Sequence, residues 1–173
     1  MRLGIFSSSK DLLKNKYYKE INELLLKIND NNNIDKVVYG GGKIGIMGMV
    51  YDVFMPNNKI VSHNLIKWQQ FPEENIYDNM FDRQRAIIQD SDCFLVLPGG
   101  VGTLSELFDC MMLNDTESCK KNIIIFNCDG YYSELYQYIE KLHNMGATRK
   151  SEILFISDNV NDINDYINNN FSV

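Results

Sequence analysis

The sequence has only two histidines, His63 and His143, far apart in the chain and with no carboxylate cluster beside either. A histidine-based metal site or a histidine acid–base pair is therefore not expected. Its four cysteines, Cys93, Cys110, Cys119 and Cys128, show no C-x-x-C spacing, which argues against a structural zinc site and a disulfide framework. No apolar run approaches the roughly 20 residues of a membrane-spanning helix. The opening Met1-Arg2-Leu3-Gly4-Ile5-Phe6 enters a strand-like pattern at once, without a signal-peptide core. The expectation is a cytoplasmic protein with no membrane partner. Basic charge is also scarce: 17 Lys and Arg stand against 23 Asp and Glu, a net charge of −6. A broad nucleic-acid surface needs a net basic face to displace counterions, so no nucleic-acid partner is expected. A small anion is a different matter, because a few oriented backbone amides can bind it locally.

What is present is a globular composition, 45% hydrophobic and 23% charged over 173 residues. That is enough chain for one domain spanning residues 1–173. Short β-rich runs alternate with helical patterns. Strands are expected at Arg2–Phe6, Lys36–Tyr39, Lys59–Val61, Cys93–Leu97, Asn122–Phe126 and Ile153–Ile156. Leu12, Leu13, Tyr17, Ile21, Leu24, Leu25 and Ile28 recur at three- and four-residue steps, an apolar stripe for a helix lying on a sheet. Runs such as Phe94-Leu95-Val96-Leu97 and Ile123-Ile124-Ile125-Phe126 are apolar throughout, as strands covered on both faces are. The fold class is thus α/β, a doubly wound and mostly parallel sheet flanked by helices. The polar runs 29–33 and 157–165 read as turns and caps. Residues 62–79, with His63, Trp68, Phe71-Pro72 and two glutamates, have no clear period and read as a loop of the kind that often covers a ligand.

Three segments carry chemistry. Gly40-Gly41-Gly42-Lys43-Ile44-Gly45-Ile46-Met47-Gly48 follows a predicted strand and opens a predicted helix, where glycines let amides converge on a phosphate. Gly40, Gly42 and Gly45 fit G-x-G-x-x-G, yet Lys59-Ile60-Val61-Ser62 supplies no acid for a dinucleotide ribose. Ile44 after Lys43 stands where a phosphate-loop NTPase needs Ser or Thr. A ligand-free tight turn is the competing explanation. The second segment, Leu97-Pro98-Gly99-Gly100-Val101-Gly102-Thr103-Leu104-Ser105-Glu106, again joins strand to helix. Thr103 is positioned to cap that helix, with Glu106 in its first turn at the sheet's carboxyl edge. Thr103-Leu104-Ser105-Glu106 is equally a capping box in which Glu106 only reaches back to an amide. The third is Asp82-Arg83-Gln84-Arg85, on a helix from about Asn79 to Asp90. Arginine offers a rigid fork for phosphate, but two-residue spacing puts Arg83 and Arg85 on different faces, so one is ordinary surface charge.

In order and spacing these segments resemble the LONELY GUY family of cytokinin-activating phosphoribohydrolases, often labelled possible lysine decarboxylases. The family pattern G-G-G-x-x-G-L-M-G, M-x-x-R-K and P-G-G-x-G-T-x-x-E is met by G-G-G-K-I-G-I-M-G, M-F-D-R-Q and P-G-G-V-G-T-L-S-E. The likeness runs from Ile5-Phe6-Ser7-Ser8-Ser9 to Asp129-Gly130-Tyr131-Tyr132. It implies a Rossmann-like fold, a homodimer with the site near the subunit interface, and hydrolysis of a nucleoside 5′-monophosphate without cofactor or metal. It places catalysis on Arg83 and Glu106. Substrate contacts fall on Ser8, Gly41, Gly42, Met80, Pro98, Gly99, Gly100, Val101, Gly102 and Thr103. The chain departs from the family at Gln84, where Lys is usual, at Phe81, where His is common, and at Leu113, where Trp often sits. A non-enzymatic nucleotide or molybdenum-cofactor binder with the same kind of loop is the alternative.

Overall fold

The computed structural model describes residues 1–12, 16–65, 71–118, 120–149 and 153–171. Leu13, Trp68 and Cys119 lie outside the described residues. In chain order the elements are β1 (Arg2–Phe6), α1 (Lys16–Asp30), β2 (Lys36–Tyr39), α2 (Gly45–Phe54), β3 (Ile60–Asn64) and β4 (Glu73–Ile76). They continue with α3 (Met80–Asp90), β5 (Cys93–Val96), α4 (Val101–Asp115), β6 (Ile123–Phe126), α5 (Ser133–Asn144), β7 (Leu154–Ser157) and α6 (Val160–Asn170). The strands form one seven-stranded sheet in the order β4-β3-β2-β1-β5-β6-β7, with every pairing parallel.

Two-residue alternation distributes the strand side chains over two cores. Leu3, Ile5, Leu95, Ile124 and Phe126 point to the face covered by Ile21, Leu24 and Leu25 of α1, Val50 of α2 and Ile163 of α6. Phe6, Phe94, Val96, Ile123 and Ile125 point to the other, against Ile87 of α3 and Leu107 of α4. Both faces are buried, which is why these strands read as continuous apolar runs. In α1, described from Lys16, the stripe runs through Tyr17, Ile21, Leu24, Leu25 and Ile28, and Leu12 packs on the same core.

The segment 62–79 differs from the loop expected for it. Strand β3 runs on to Asn64, and Glu73–Ile76 adds a seventh strand on the sheet's edge, with Val61 opposite Glu73 and Asn64 opposite Ile76. Glu73, Glu74 and Asn75 leave no apolar period to detect, because an edge strand has fewer neighbours and keeps polar side chains in water. Asn159 caps α6 through the amides of Asn161 and Asp162, as a polar run before a helix suggests, but the run continues into the helix itself.

The winding matters for function. From β1 the chain builds outward through β2, β3 and β4, then crosses back to lay β5 on the other side of β1. The carboxyl ends of β1 and β5 therefore diverge into loops on opposite sides, the switch point where open α/β sheets bind ligands.

Candidate active site

A cleft of about 770 Å³ opens at this switch point, walled by Ser7–Lys10 after β1, Gly40–Gly42 after β2, Gly100–Thr103 after β5 and the first turn of α3. Backbone bonds hold the loops to one another. The Ser8 amide donates to the Pro98 carbonyl (3.1 Å), and the Met47 amide donates to the Ser8 carbonyl (3.0 Å). Gly45 has φ +64° and its missing side chain would overlap the Lys10 backbone, so this turn depends on glycine for the approach of the first loop. Tyr131 and Tyr132 buttress the loop after β5, donating hydroxyl bonds to the carbonyls of Gly99 (2.9 Å) and Leu97 (2.7 Å).

The floor is the N-terminus of α4. Helix α4 starts at Val101 behind an N-cap, Gly100, that supplies no side-chain bond. Its ladder begins with the Leu104 amide on the Gly100 carbonyl (3.0 Å), so the amides before Leu104 are the donors that a helix leaves to an outside acceptor. A Cβ built on Gly100 or Gly102 would meet nothing within 4 Å, and neither has a positive φ. The fold has no internal need for glycine at either position; a ligand seated closely on this backbone would. Ser7 adds a third sign. Ser7 is buried and lines the cleft, and its hydroxyl has no hydrogen-bond partner among the described residues; a buried hydroxyl left so costs stability unless something else pairs with it.

Arg83 and Glu106 meet across this floor. Asn79 caps α3 through the Asp82 amide (3.0 Å), which fixes where the helix starts and turns Arg83 inward. The Arg83 side chain is buried, donating from Nε to the His63 carbonyl (2.8 Å) and from Nη2 to the Gly40 carbonyl (3.1 Å). Gly40 is glycine because a Cβ there would overlap that guanidinium. The third nitrogen, Nη1, donates to Met80 Sδ (3.8 Å) and lies 3.9 Å from Glu106 Oε1. Arg85, two residues on, is exposed. Burial lowers the pKa of Arg83, with the Glu106 charge acting against that shift. Burial pushes the Glu106 carboxyl up to about 7; the Arg83 charge pulls it down and Asp109 pushes it further up. An acid that titrates near neutrality can exchange a proton at working pH.

These positions correct the capping readings. Thr103 is the third residue of α4, not its cap, and Glu106 lies in the second turn, buried and turned toward Arg83. The helix begins three residues earlier than the Thr-x-x-Glu pattern suggests, with Gly100 as its extended N-cap. Of the anticipated contacts, Ser8, Gly41, Gly42, Met80, Gly100, Val101, Gly102 and Thr103 line the cleft together with Arg83 and Glu106. The Pro98 and Gly99 carbonyls instead face the scaffold, bonded to Ser8 and Tyr131. Sequence reasoning missed Ser7, Asn64 and Gln84 as lining residues; for Ser7 a signal existed, a hydroxyl directly after an apolar first strand. Lys43 lies over the rings of Tyr51 (4.4 Å) and Phe71 (5.2 Å), a cation–π arrangement. His63 sits in a buried network, Nδ1 to Tyr77 (2.8 Å) and Nε2 to Asp90 (2.9 Å), and desolvation lowers its pKa. Cys93, Cys110 and Cys128 are buried thiols. Among the described residues no group of three His, Cys, Asp or Glu is placed to hold a metal ion, and no helix is long and apolar enough to cross a membrane.

Fold and site together define an α/β protein with a cleft at the sheet's switch point, where a helix N-terminus meets a buried Arg–Glu pair. Comparison with known proteins gives the family. The family described as possible lysine decarboxylase matches residues 31–167. The chain is 31% identical over 174 aligned positions, 94% of its length and 74% of the relative's, to the cytokinin riboside 5′-monophosphate phosphoribohydrolase LOG4 of Arabidopsis thaliana. It is 32% identical to LOG5 of the same plant over 67% of this chain, which spans about half of that relative (54%). The chain belongs to the LONELY GUY family. Among solved structures, the molybdenum cofactor carrier protein of Chlamydomonas reinhardtii shares the fold with a TM-score of 0.72 at 14% identity, covering 97% of this chain and 96% of that one. The molybdenum cofactor binding protein of Rippkaea orientalis does so at 0.66 and 15% identity, covering 97% and 95%.

Proposed function

We propose that the protein hydrolyses the N-glycosidic bond of a nucleoside 5′-monophosphate, with AMP or an N6-modified adenine nucleotide as substrate, to the free base and ribose 5-phosphate. The observation that carries this reading is the pairing, in one cleft, of the Arg83–Glu106 couple with a helix N-terminus whose Gly100 and Gly102 are open to a ligand. The amides of Gly100–Thr103 and the Ser7 hydroxyl take the phosphate. Cleavage of the bond to the base builds positive charge on the ribose, as in glycoside hydrolysis. Glu106 as a carboxylate stabilises that charge and takes a proton from the attacking water, whose oxygen bonds to the ribose carbon as the base departs with the bonding electrons; the base takes up a proton from solvent and Glu106 returns its own to solvent. Arg83, pinned from behind by two carbonyls, presents Nη1 to the phosphate or ribose and cannot swing away. Met80, Phe81 and Val101, exposed and apolar at the mouth, offer a flat base its contact surface. The relatives' names support the same chemistry.

We also propose a cytoplasmic homodimer. Phe81, Phe108 and Met112 are exposed on neighbouring α3 and α4, beside a groove of about 500 Å³ that also takes in Ile88 and Leu113. A second copy would remove that apolar surface from water.

Chromatography of purified protein incubated with a panel of nucleoside monophosphates tests the activity. Release of free base and ribose 5-phosphate is expected. Retention of an intact nucleotide with no base released from any would instead favour a binding module.

A further inference from the structure

Two rungs join α3 to α4. The inner rung is Arg83 to Glu106. The outer rung is the Gln84 side-chain amide donating to the Asp109 carboxylate, with Ser105 Oγ 3.5 Å from the same nitrogen. The geometry repeats because Arg83 and Gln84 are consecutive, while Glu106 and Asp109 are one helical turn apart and share a face. The charges do not repeat. The inner rung pairs cation with anion, whereas the outer holds an anion with a neutral amide. Asp109 is thus held by an uncharged partner, one turn from a buried carboxyl group, with Arg85 and Lys121 lining the same outer groove. The charged groups acting on Glu106 are Arg83 from α3 and Asp109 from α4, and Lys10, in the loop after β1, lines the same cleft.

We propose that the Gln84–Asp109 rung is a positioning device that holds Glu106 against Arg83 and sets the pH range over which Glu106 can act as a base. This rests on the reading of Glu106 as the base. A like charge one turn away disfavours the ionised form, more so where water is excluded, and Asp109 does act on Glu106 in this direction. A lysine in place of Gln84 would neutralise Asp109 and bring a second cation toward Glu106. The neutral amide therefore keeps the working range higher than a charged partner would.

The test is to follow Glu106 directly by carbon NMR in protein labelled at the glutamate carboxyl carbon, the Glu106→Gln variant identifying its resonance, alongside the pH profile of kcat/KM. Asp109→Asn and Gln84→Lys should each lower the Glu106 midpoint by about half a unit or more, roughly a threefold loss of proton affinity, and move the acidic limb of the profile with it. A purely structural rung would change kcat without moving either. An unmoved midpoint in folded Asp109→Asn overturns the proposal; should Asp109→Asn fail to fold, an unmoved midpoint in Gln84→Lys overturns it equally. The NMR readout needs no turnover: midpoints that shift in a protein that releases no base would uphold the rung and remove the hydrolase reading instead.

Discussion

A buried carboxyl group leaves its mark on stability as well as on turnover. Folded Glu106 keeps its proton to about 7, against 4.5 for the unperturbed group. Between those values the folded state binds more protons than the unfolded one. The stability linked to Glu106 is therefore fully present below pH 4.5 and is lost as pH rises through 7. Glu106→Gln removes this titration. Urea unfolding at pH 5 and pH 8 should show the variant gaining roughly 2 kcal/mol relative to wild type at the higher pH, while base release is abolished. A helix-capping glutamate would behave in the opposite way, losing about 1 kcal/mol on substitution and keeping its turnover. Arginine gives a second contrast. Arg83→Ala should cost tenfold or more in kcat/KM, and Arg85→Ala little, because only the first is buried against the cleft. Equal small effects would take Arg83 out of the site.

Among the elements, the two glycine-rich loops separate folding from binding. In the loop after β2, Gly45→Ala forces a side chain onto a positive φ and into the Lys10 backbone, and should destabilise by roughly 1–3 kcal/mol. In the loop after β5, Gly102→Ala meets open space. Its melting temperature should stay near that of wild type, while its affinity for a nucleoside monophosphate, read by calorimetry, falls about tenfold, or 1.4 kcal/mol. Unchanged affinity would mean that no ligand approaches this backbone. These elements also show what can be read from sequence. Strands buried on both faces, such as Ile123–Phe126, announce themselves by unbroken apolar runs, and the strand–glycine–helix order marks the cleft. Glu73–Ile76 does not, since an edge strand of polar residues looks like a loop. The start of α4 reads three residues late because Thr103 and Glu106 match a capping box, and the glycine cap that displaces it gives no side-chain signal. That Glu106 faces Arg83 is a product of α3 and α4 packing side by side, which no local pattern encodes.

At the scale of the whole molecule, the sheet brings loops distant in sequence to one edge, and α3 and α4 line both the cleft and an adjoining groove, which share Phe81 and Gln84. Met112 lines the groove but not the cleft. Met112→Asp should therefore convert a dimer to a monomer in light scattering, and a wild-type monomer at high concentration would contradict the proposed assembly. In the proposed reaction phosphate anchors the substrate while Glu106 acts on the sugar and Arg83 holds the phosphate or ribose. Binding energy from a group that does not react can hold the ribose in register, so losing it should lower turnover as well as affinity. A few charge-assisted hydrogen bonds at roughly 1.5–3 kcal/mol each amount to several powers of ten. The most direct test is kcat/KM for base release from a nucleoside 5′-monophosphate and from the matching nucleoside, measured on the same preparation. The account predicts activity on the monophosphate with the nucleoside at least a thousandfold poorer, on the order set by those bonds; comparable efficiency on the two would contradict it.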